Sequence, residues 1–261
     1  MSSKIVLSTS DLCIGYPDKN EVLRIASDLN LSLEAGKLIA LIGANGIGKS
    51  TLLRTITGIQ KPLSGKVTLN NAPIDAMDSA AVSKQISLVL TEQLPSSNLS
   101  VFEMVALGRQ PYTDWIGRLS DQDVKVVELA MQQTQVLDLR DKKYHEISDG
   151  QLQRVLIARA LAQDTPLIIL DEPTTHLDLL HKVSLLKLLK KLSQETQKCI
   201  LFSTHDIDMA IQIADEMIVM TNGNVVQDQP CNLISNGVFA TLFDDPTITF
   251  DVNFGKFVIS G

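Results

Sequence analysis

Runs of consecutive apolar residues recur along the chain, and each of them predicts a buried strand. Three such runs, Leu38–Ile42, Leu167–Leu170 and Cys199–Ser203, are followed by segments in which apolar residues recur at helical spacing. A strand that is covered on both faces is typically apolar throughout, as in parallel sheets. Because strands alternate with helices, the pattern predicts an α/β fold built on a largely parallel sheet.

A different pattern precedes this sheet. Between residues 4 and 42, the short segments Ile5–Leu7 and Leu12–Tyr16 favour strands, and apolar and polar residues alternate over Leu29–Leu33. A period of two predicts half-buried strands, so we expect this part of the chain to be rich in strands. Tyr16 falls in one of these strands, and its position alone indicates a half-buried strand residue.

Strand patterns are lacking in residues 96–165, where the spacing of apolar residues predicts helices instead. We therefore expect a single domain over residues 4–239, with a helical subdomain inserted at about residues 96–165. A final helix over Leu233–Phe243 leads into a C-terminal extension of residues 240–261, which ends in an alternating tail.

The composition of the 261-residue chain is that of a globular protein, with 44% hydrophobic and 20% charged residues. The net charge of -7 and the lack of a basic stripe argue against nucleic acid as a partner. Cys13, Cys199 and Cys231 are too few and too widely spaced for a zinc site or a disulfide framework, which indicates a reducing compartment. Neither a signal peptide nor a membrane span is evident, so we expect contact with a membrane only through a partner.

The most specific chemical signal is the segment Gly43–Ser50, which fits the pattern G-x-x-x-x-G-K-[ST] of a phosphate-binding loop. The glycines let successive backbone N–H groups turn toward one anion, and the following helix adds its positive N-terminus. Lys49 is expected to reach the β- and γ-phosphates, and Ser50 to ligate Mg²⁺. The residues expected to bind the nucleotide here are Gly43, Asn45, Gly46, Gly48, Lys49, Ser50 and Thr51.

Polar residues also follow other strands of the predicted sheet. Asp171 and Glu172 come directly after an apolar run, at the edge where open α/β sheets bind their ligands. We expect Asp171 to hold Mg²⁺, directly or through water, and Glu172 to polarise the water that attacks the γ-phosphate. His205 follows the next apolar strand and is expected to contact the γ-phosphate, and Gln93 to touch Mg²⁺ or the attacking water. The candidate catalytic residues are therefore Lys49, Gln93, Glu172 and His205.

A second anion-binding pattern ends the helical block. Ser148 and Gly150 lie at the start of a predicted helix, whose N-terminus favours an anion. One chain with one phosphate loop has no evident need for a second such site, so we interpret it as serving the nucleotide of another copy. Two chains would then sandwich two ATP molecules in an isologous dimer.

The order of these motifs is similar to that of the ATP-binding cassette (ABC) ATPases, and the similarity runs from about Tyr16 to the Asn-Gly turn at residues 222–223. The motifs that carry it are the phosphate loop, Gln93, Ser148–Gln151, Asp171–Glu172, His176–Asp178 and His205. The resemblance implies a phosphate-loop NTPase core of the RecA-like type, with an antiparallel β subdomain and an inserted α-helical subdomain.

The resemblance also assigns residues to the nucleotide. It implies that Tyr16 stacks on adenine, in contrast to the interpretation from its position alone. The residues expected to meet the nucleotide across the dimer interface are Ser148, Gly150, Gln151 and Asp178. At Asp149 the chain departs from the family pattern, which usually has glycine there. A carboxylate near a polyphosphate is unfavourable unless it points away, but the flanking serine and glycine are retained and we expect activity.

Within this family, Ala106–Tyr112, Trp115–Leu119 and Thr174–Asp178 look like the corresponding segments of importers of iron-siderophores, haem and cobalamin. The resemblance therefore predicts an ATPase subunit that energises the uptake of an iron chelate (siderophore or haem) or of cobalamin. The implied cofactors are ATP and Mg²⁺. The implied partners are a second copy of the chain, integral membrane permease subunits and, indirectly, a substrate-binding protein, at the cytoplasmic face of the inner (plasma) membrane.

Three alternatives remain open at this point. The first is a soluble ABC ATPase outside transport, although the coiled-coil insert or second cassette usual in such proteins is not evident. The second is an importer of a different substrate, such as a free metal ion. The third is a regulatory module that binds nucleotide without hydrolysing it, against which the intact Glu172 and His205 argue.

Overall fold

A computed structural model describes residues 4–17, 22–90, 98–243, 245, 247–252 and 254–259. The strands are β1 (Ile5–Pro17), β2 (Val22–Leu29), β3 (Ser32–Glu34), β4 (Leu38–Gly43), β5 (Ser64–Leu69), β6 (Ala72–Pro73), β7 (Ile86–Val89), β8 (Leu167–Leu170), β9 (Cys199–Ser203), β10 (Glu216–Thr221), β11 (Asn224–Asp228), β12 (Ile248–Asp251) and β13 (Lys256–Ile259). The α-helices are α1 (Lys49–Ile56), α2 (Ser79–Ser83), α3 (Val101–Ala106), α4 (Asp121–Gln133), α5 (Asp149–Ala162), α6 (Leu179–Thr196), α7 (Ile207–Ile213) and α8 (Pro230–Ser235).

The first sheet is antiparallel and is organised around the long strand β1. This strand pairs with β2, β3 and β5, and β6 continues the sheet from β5. Leu7, Leu12 and Ile14 of β1 are fully buried, whereas Ser10 and Asp11 between them are exposed. The strand-rich pattern is confirmed, and so is the antiparallel β subdomain that the family resemblance implies.

The second sheet has six strands in the order β11-β10-β4-β9-β8-β7, and all neighbouring pairs are parallel except β10 with β11. Every residue of its inner strand β4 is buried. Leu38, Ala40 and Ile42 pack with the helices on one face, while Ile39 and Leu41 pack toward the antiparallel sheet on the other. Because both faces are covered, apolar side chains are required at successive positions, as the sequence predicts.

The helical block of α3, α4 and α5 is fastened by a buried arginine. Arg109 lies in a short 3-10 turn after α3, and its Nε donates to Asp123 Oδ1 at 2.8 Å near the start of α4. Its Nη1 donates to the carbonyl of Ala162 at 2.9 Å, at the end of α5. The guanidinium also lies over the ring of Tyr112, 4.0 Å from its centroid. One side chain therefore joins three segments of the block.

The C-terminal region differs from the predicted helix over Leu233–Phe243. Helix α8 ends at Ser235, and a separate 3-10 turn covers Val238–Thr241. Gly237 has a φ of 70°, a left-handed conformation that ends a helix and that glycine adopts at little cost. The alternating tail forms the hairpin β12–β13, which packs on the core through a cluster of rings of Phe239, Phe243, Phe250 and Phe257.

Within the described parts of the chain, no helix combines the length and the apolar character that crossing a bilayer requires.

Candidate functional site

Three neighbouring strands of the parallel sheet carry polar residues at their carboxyl ends. The phosphate loop follows β4, Asp171 and Glu172 follow β8, and His205 lies two residues beyond β9. The strands are in parallel register, so that these ends meet at one edge of the sheet. This is the edge at which open α/β sheets bind ligands.

The phosphate loop depends on glycine at its last turn. Gly48 has a φ of 111°, and a Cβ atom built there would lie 2.3 Å from Cγ2 of Ile25. A larger residue would therefore be strained and would clash with β2. Gly43 is equally confined, because its Cβ would lie 2.7 Å from the carbonyl oxygen of Met220. The backbone thus begins α1 directly at Lys49, with Gly48 as N-cap.

Lys49 is buried within this loop. Its ammonium group donates to the carbonyl oxygens of Gly43 at 2.8 Å and of Ala44 at 3.2 Å. Burial lowers the pKa of Lys49, and the negative charges of Glu172 and Asp171 partly oppose that shift. A cation that is poor in solvent contacts and faces two acids is well suited to bind the oxygens of a polyphosphate.

Glu172 is held by its neighbours in an unusual backbone conformation. Its φ is 47°, which few residues other than glycine adopt. Its carboxylate contacts Nε2 of His205 and accepts a hydrogen bond of 3.3 Å from Oγ1 of Thr175. The structure therefore brings together the acid and the histidine that the sequence places 33 positions apart (205 minus 172).

Asp171 is oriented by a residue that the sequence reading did not single out. The hydroxyl of Ser203 donates to Asp171 Oδ1 at 2.6 Å and accepts from the backbone N–H of Glu172 at 2.8 Å. Ser203 is fully buried at the end of β9. The only signal in the sequence was a polar residue at the end of an otherwise apolar strand.

A groove of about 730 Å³ lies between β1 and α1. Tyr16 borders it, remains 41% exposed, and its hydroxyl lies 3.0 Å from Oγ1 of Thr51. The exposed ring is compatible with the stacking that the resemblance implies. Ser50 and Asp171, which are expected to hold the metal, border the same groove as Tyr16.

Ser50 and Asp171 also fit Mg²⁺ by their chemistry. Hydroxyl and carboxylate oxygens are its usual protein ligands, and Mg²⁺ commonly binds through one or two of them together with substrate phosphates. In the part of the chain that the structure describes, no group of three or more His, Cys, Asp and Glu side chains forms a metal cage. The donor set suits a metal that is bound jointly with phosphate.

The second anion-binding pattern forms a separate groove. Ser148 caps α5, accepting from the N–H of Gln151 at 3.3 Å, and the side chain of Gln151 accepts from the N–H of Ser148 at 3.0 Å. Ser148, Gly150 and Gln151 border this groove of about 440 Å³, and none of them borders the groove of Ser50 and Asp171. Within one chain, the two sets of residues therefore border different grooves.

Asp178 lies beside this second groove. It caps α6 by accepting from the N–H of His181 at 2.9 Å, and its other oxygen lies 2.8 Å from Nδ1 of the same histidine. These hydrogen bonds, the backbone one first, lower the pKa of Asp178. The ring of His181 borders Gly150, where an added Cβ would lie 3.2 Å from Cδ2. Asp149, the departure from the family pattern, is exposed.

The remaining expected residues are Asn45 and Gly46, which are exposed in the phosphate loop, and Gln93. Gln93 lies outside the described residues, so its expected contact with Mg²⁺ or the attacking water stays a prediction.

Comparison with protein families finds a match to the ABC transporter model over residues 26–175. The iron(3+)-hydroxamate import ATP-binding protein FhuC of Bacillus subtilis is 39% identical over 222 residues, which are 85% of this chain and 81% of that protein. The achromobactin transport ATP-binding protein CbrD of Dickeya dadantii is 36% identical, over 91% of this chain and 87% of CbrD.

Solved structures of ABC transporter chains are also similar to this chain. A chain from an ABC transporter described as of the metal-chelate type, in an inward-facing conformation, matches with a TM-score of 0.80 and 27% identity, over 98% of this chain and 96% of its own. The ATP-binding cassette MJ0796, solved as a dimer bound to ADP and Pi, matches with a TM-score of 0.71 and 28% identity, over 86% of this chain and 98% of its own.

Proposed function

The chain belongs to the ABC transporter family as an ATP-hydrolysing, nucleotide-binding subunit, and we propose that it energises the uptake of an iron chelate or of cobalamin. The convergence of Lys49, Glu172 and His205 at one sheet edge carries the hydrolytic part of this proposal. The substrate class is supported by relatives whose names refer to the import of iron(3+)-hydroxamate, petrobactin and cobalamin and to the transport of achromobactin.

ATP binds in the groove between β1 and α1, with its phosphates on the glycine loop. Lys49 exchanges its hydrogen bonds to the loop carbonyls for the β- and γ-phosphate oxygens, which are stronger, charged acceptors. The N-terminus of α1 contributes its dipole, and the ring of Tyr16 stacks on adenine. Ser50 and Asp171 would hold Mg²⁺, which would supply positive charge to neutralise the phosphates.

Hydrolysis uses the acid and the histidine. Glu172 accepts a proton from the water that attacks the γ-phosphate, and its approach is fixed by the backbone conformation described above. His205, which contacts Glu172 in this structure, donates to the γ-phosphate once that group is bound. When His205 exchanges Glu172 for the γ-phosphate, the Glu172 carboxylate becomes available to the attacking water. The release of Glu172 therefore depends on bound ATP.

A second copy of the chain completes each site. Ser148 and Gly150 border a groove away from the phosphate loop of their own chain, so they serve the nucleotide on the partner. The exposed carboxylate of Asp149 can remain in solvent at the rim of that contact. ATP therefore joins two chains in an isologous dimer.

Closure of this dimer is transmitted to membrane permease subunits through the Gln93 segment and the helical block. ATP drives the change only because it binds the closed state more tightly than the open one. The chain works at the cytoplasmic face of the membrane, and a substrate-binding protein delivers the cargo on the other side.

The proposal is tested by uptake in cells that lack the chain and are complemented with wild type or with Glu172→Gln. The labelled probes are a ferric hydroxamate, haem and cobalamin, with a free divalent metal ion as the fourth. Loss of uptake of one chelate or of cobalamin, restored by wild type only, is the expected result. Loss of free-ion uptake alone, or restoration by Glu172→Gln, contradicts the proposal.

A further inference from the structure

Ser203 ends β9, the strand that lies between β4, which leads into the phosphate loop, and β8, which leads into Asp171 and Glu172. Its backbone lies in register with Leu41 of β4, and the preceding residue, Phe202, lies in register with Leu170 of β8. The side chain is fully buried. A hydroxyl enclosed at this edge can reach only the groups that end the neighbouring strands.

The hydrogen bonds of Ser203 connect Asp171 and Glu172 through one oxygen atom. The O–H group donates to Asp171 Oδ1 at 2.6 Å, and the same oxygen accepts from the N–H of Glu172 at 2.8 Å. A serine hydroxyl has a single proton, so donation to the carboxylate fixes the direction of its lone pairs toward Glu172. The bond to an ionised carboxylate is of the short, strong kind.

The hydrogen bond from the N–H of Glu172 to Ser203 lies at a strained backbone position. Glu172 has its φ at 47°, a conformation that persists only where surrounding contacts hold it. The N–H of Glu172 is the backbone group nearest to that torsion, and Ser203 is its hydrogen-bond partner. The direction in which the Glu172 side chain leaves the backbone therefore depends on the hydroxyl of Ser203.

We propose that Ser203 is a positioning residue of the ATPase site: it orients the Asp171 carboxylate for Mg²⁺ and the Glu172 carboxylate for the attacking water. This inference rests on the proposed roles of Asp171 and Glu172. It explains why a polar residue ends the apolar strand β9, where burial of a hydroxyl is favourable only if its hydrogen bonds are made.

The test compares Ser203→Ala, Ser203→Thr and Ser203→Cys in the purified full chain. Ser87→Ala is the matched control, because Ser87 is also a buried serine of the same sheet but bonds to Thr165 instead. Steady-state hydrolysis gives kcat and KM, and ATP binding is titrated against Mg²⁺ and again in EDTA. Thermal unfolding verifies that each variant is folded.

We expect Ser203→Ala to lower kcat and to raise the Mg²⁺ concentration for half-maximal ATP binding, each about tenfold, as for other residues that orient metal ligands. ATP binding in EDTA should change by less than about twofold, because the fully buried Ser203 side chain offers no surface to a ligand. Ser203→Thr, which keeps the hydroxyl, should recover most of kcat, and Ser203→Cys should be intermediate because a thiol is a weak hydrogen-bonding group.

Several outcomes overturn the proposal. If Ser203→Ala has the kcat and Mg²⁺ dependence of wild type, or changes no more than Ser87→Ala, Ser203 does not position the site. If Ser203→Ala does not fold, Ser203→Cys decides, and a wild-type Mg²⁺ titration there is equally contradictory. Failure of the proposed function is distinct: wild type would then show no Mg²⁺-dependent hydrolysis and Lys49→Ala would bind ATP normally.

Discussion

Tyr16 contacts the phosphate-loop helix through its hydroxyl, while its ring borders the groove in which ATP is proposed to bind. The hydroxyl lies 3.0 Å from Oγ1 of Thr51, and the side chain is 41% exposed. These two features suggest different roles, one structural and one in binding. A substitution that separates ring from hydroxyl distinguishes them.

We expect Tyr16→Ala to weaken ATP binding about tenfold, since stacking of a base on an aromatic ring contributes ~1–3 kcal/mol. Tyr16→Phe should bind ATP within about twofold of wild type, because it keeps the ring and loses only the part-buried hydrogen bond to Thr51. Equilibrium titration with ATP measures both. If Tyr16→Phe is as weak as Tyr16→Ala, the hydroxyl rather than the ring supports binding.

At the residue scale, the sequence could predict the charged residues that binding and hydrolysis of a phosphate require. Lys49, Asp171 and Glu172 follow apolar strands, and the structure brings their charged groups close enough for the two acids to affect the pKa of Lys49. Ser203 could not be predicted, because its role depends on the register of β9 with β8. A single strand pattern does not contain that register.

Among the elements, the helical block contains a buried ion pair between Arg109 and Asp123. The side chains of Arg109 and Asp123 are each 9% exposed. Hydrogen bonds from the Ser120 side chain and backbone and from Arg109 lower the pKa of Asp123, the Ser120 side chain being the largest contribution. Since the folded-state pKa lies below the unfolded value of ~3.9, the ionised form stabilises the fold above that pH. This contribution is lost as the pH falls through the folded-state pKa.

Asp123→Asn should lower the free energy of unfolding by about 3 kcal/mol at pH 7, because it leaves the buried Arg109 without its counter-charge. The difference from wild type should stay constant down to a pH of about 5 and shrink below ~4. Urea unfolding over this pH range measures it. Asp121→Asn, at an exposed acid of the same turn, is the control. A difference that does not change with pH would contradict the assignment of the effect to the Asp123 charge.

The sequence could predict whether a segment is a strand or a helix wherever burial requires apolar side chains at particular positions. The inner strand β4 is buried on both faces and was evident as an apolar run. The error over Leu233–Phe243 arose because apolar residues continue past Gly237 at helical spacing, while the left-handed glycine divides the segment. The Arg109 contacts were also beyond sequence reasoning, because they join residues up to 53 positions apart.

For the whole molecule, the separation of the two grooves has the largest consequence. Ser50 and Asp171 border one groove, and Ser148 and Gly150 border the other. Isologous pairing of two chains is the simplest arrangement in which both sets contact the same ATP. It also agrees with the dimeric form in which the similar cassette MJ0796 was solved.

Two substitutions at Ser148 test this arrangement. Aspartate and asparagine cap helices about as well as serine, so both should preserve α5. The added charge of Ser148→Asp should repel the partner's phosphates and raise the concentration of a non-hydrolysable ATP analogue needed for dimers at least tenfold, or about 1.4 kcal/mol. Ser148→Asn, which is uncharged, should dimerise more readily. Light scattering measures the dimer. Equal dimerisation of the two variants would contradict a phosphate contact at Ser148.

The most direct test of the account is phosphate release by Glu172→Gln beside Glu195→Gln, an exposed acid on α6 that serves as control. General-base roles contribute about 10²–10⁴-fold to rate, so Glu172→Gln should lose at least 100-fold in kcat while it still binds ATP and accumulates as an ATP-bound dimer. Glu195→Gln should match wild type. Hydrolysis by Glu172→Gln at the wild-type rate would show that this acid is not the base and would contradict the mechanism proposed for the sheet edge.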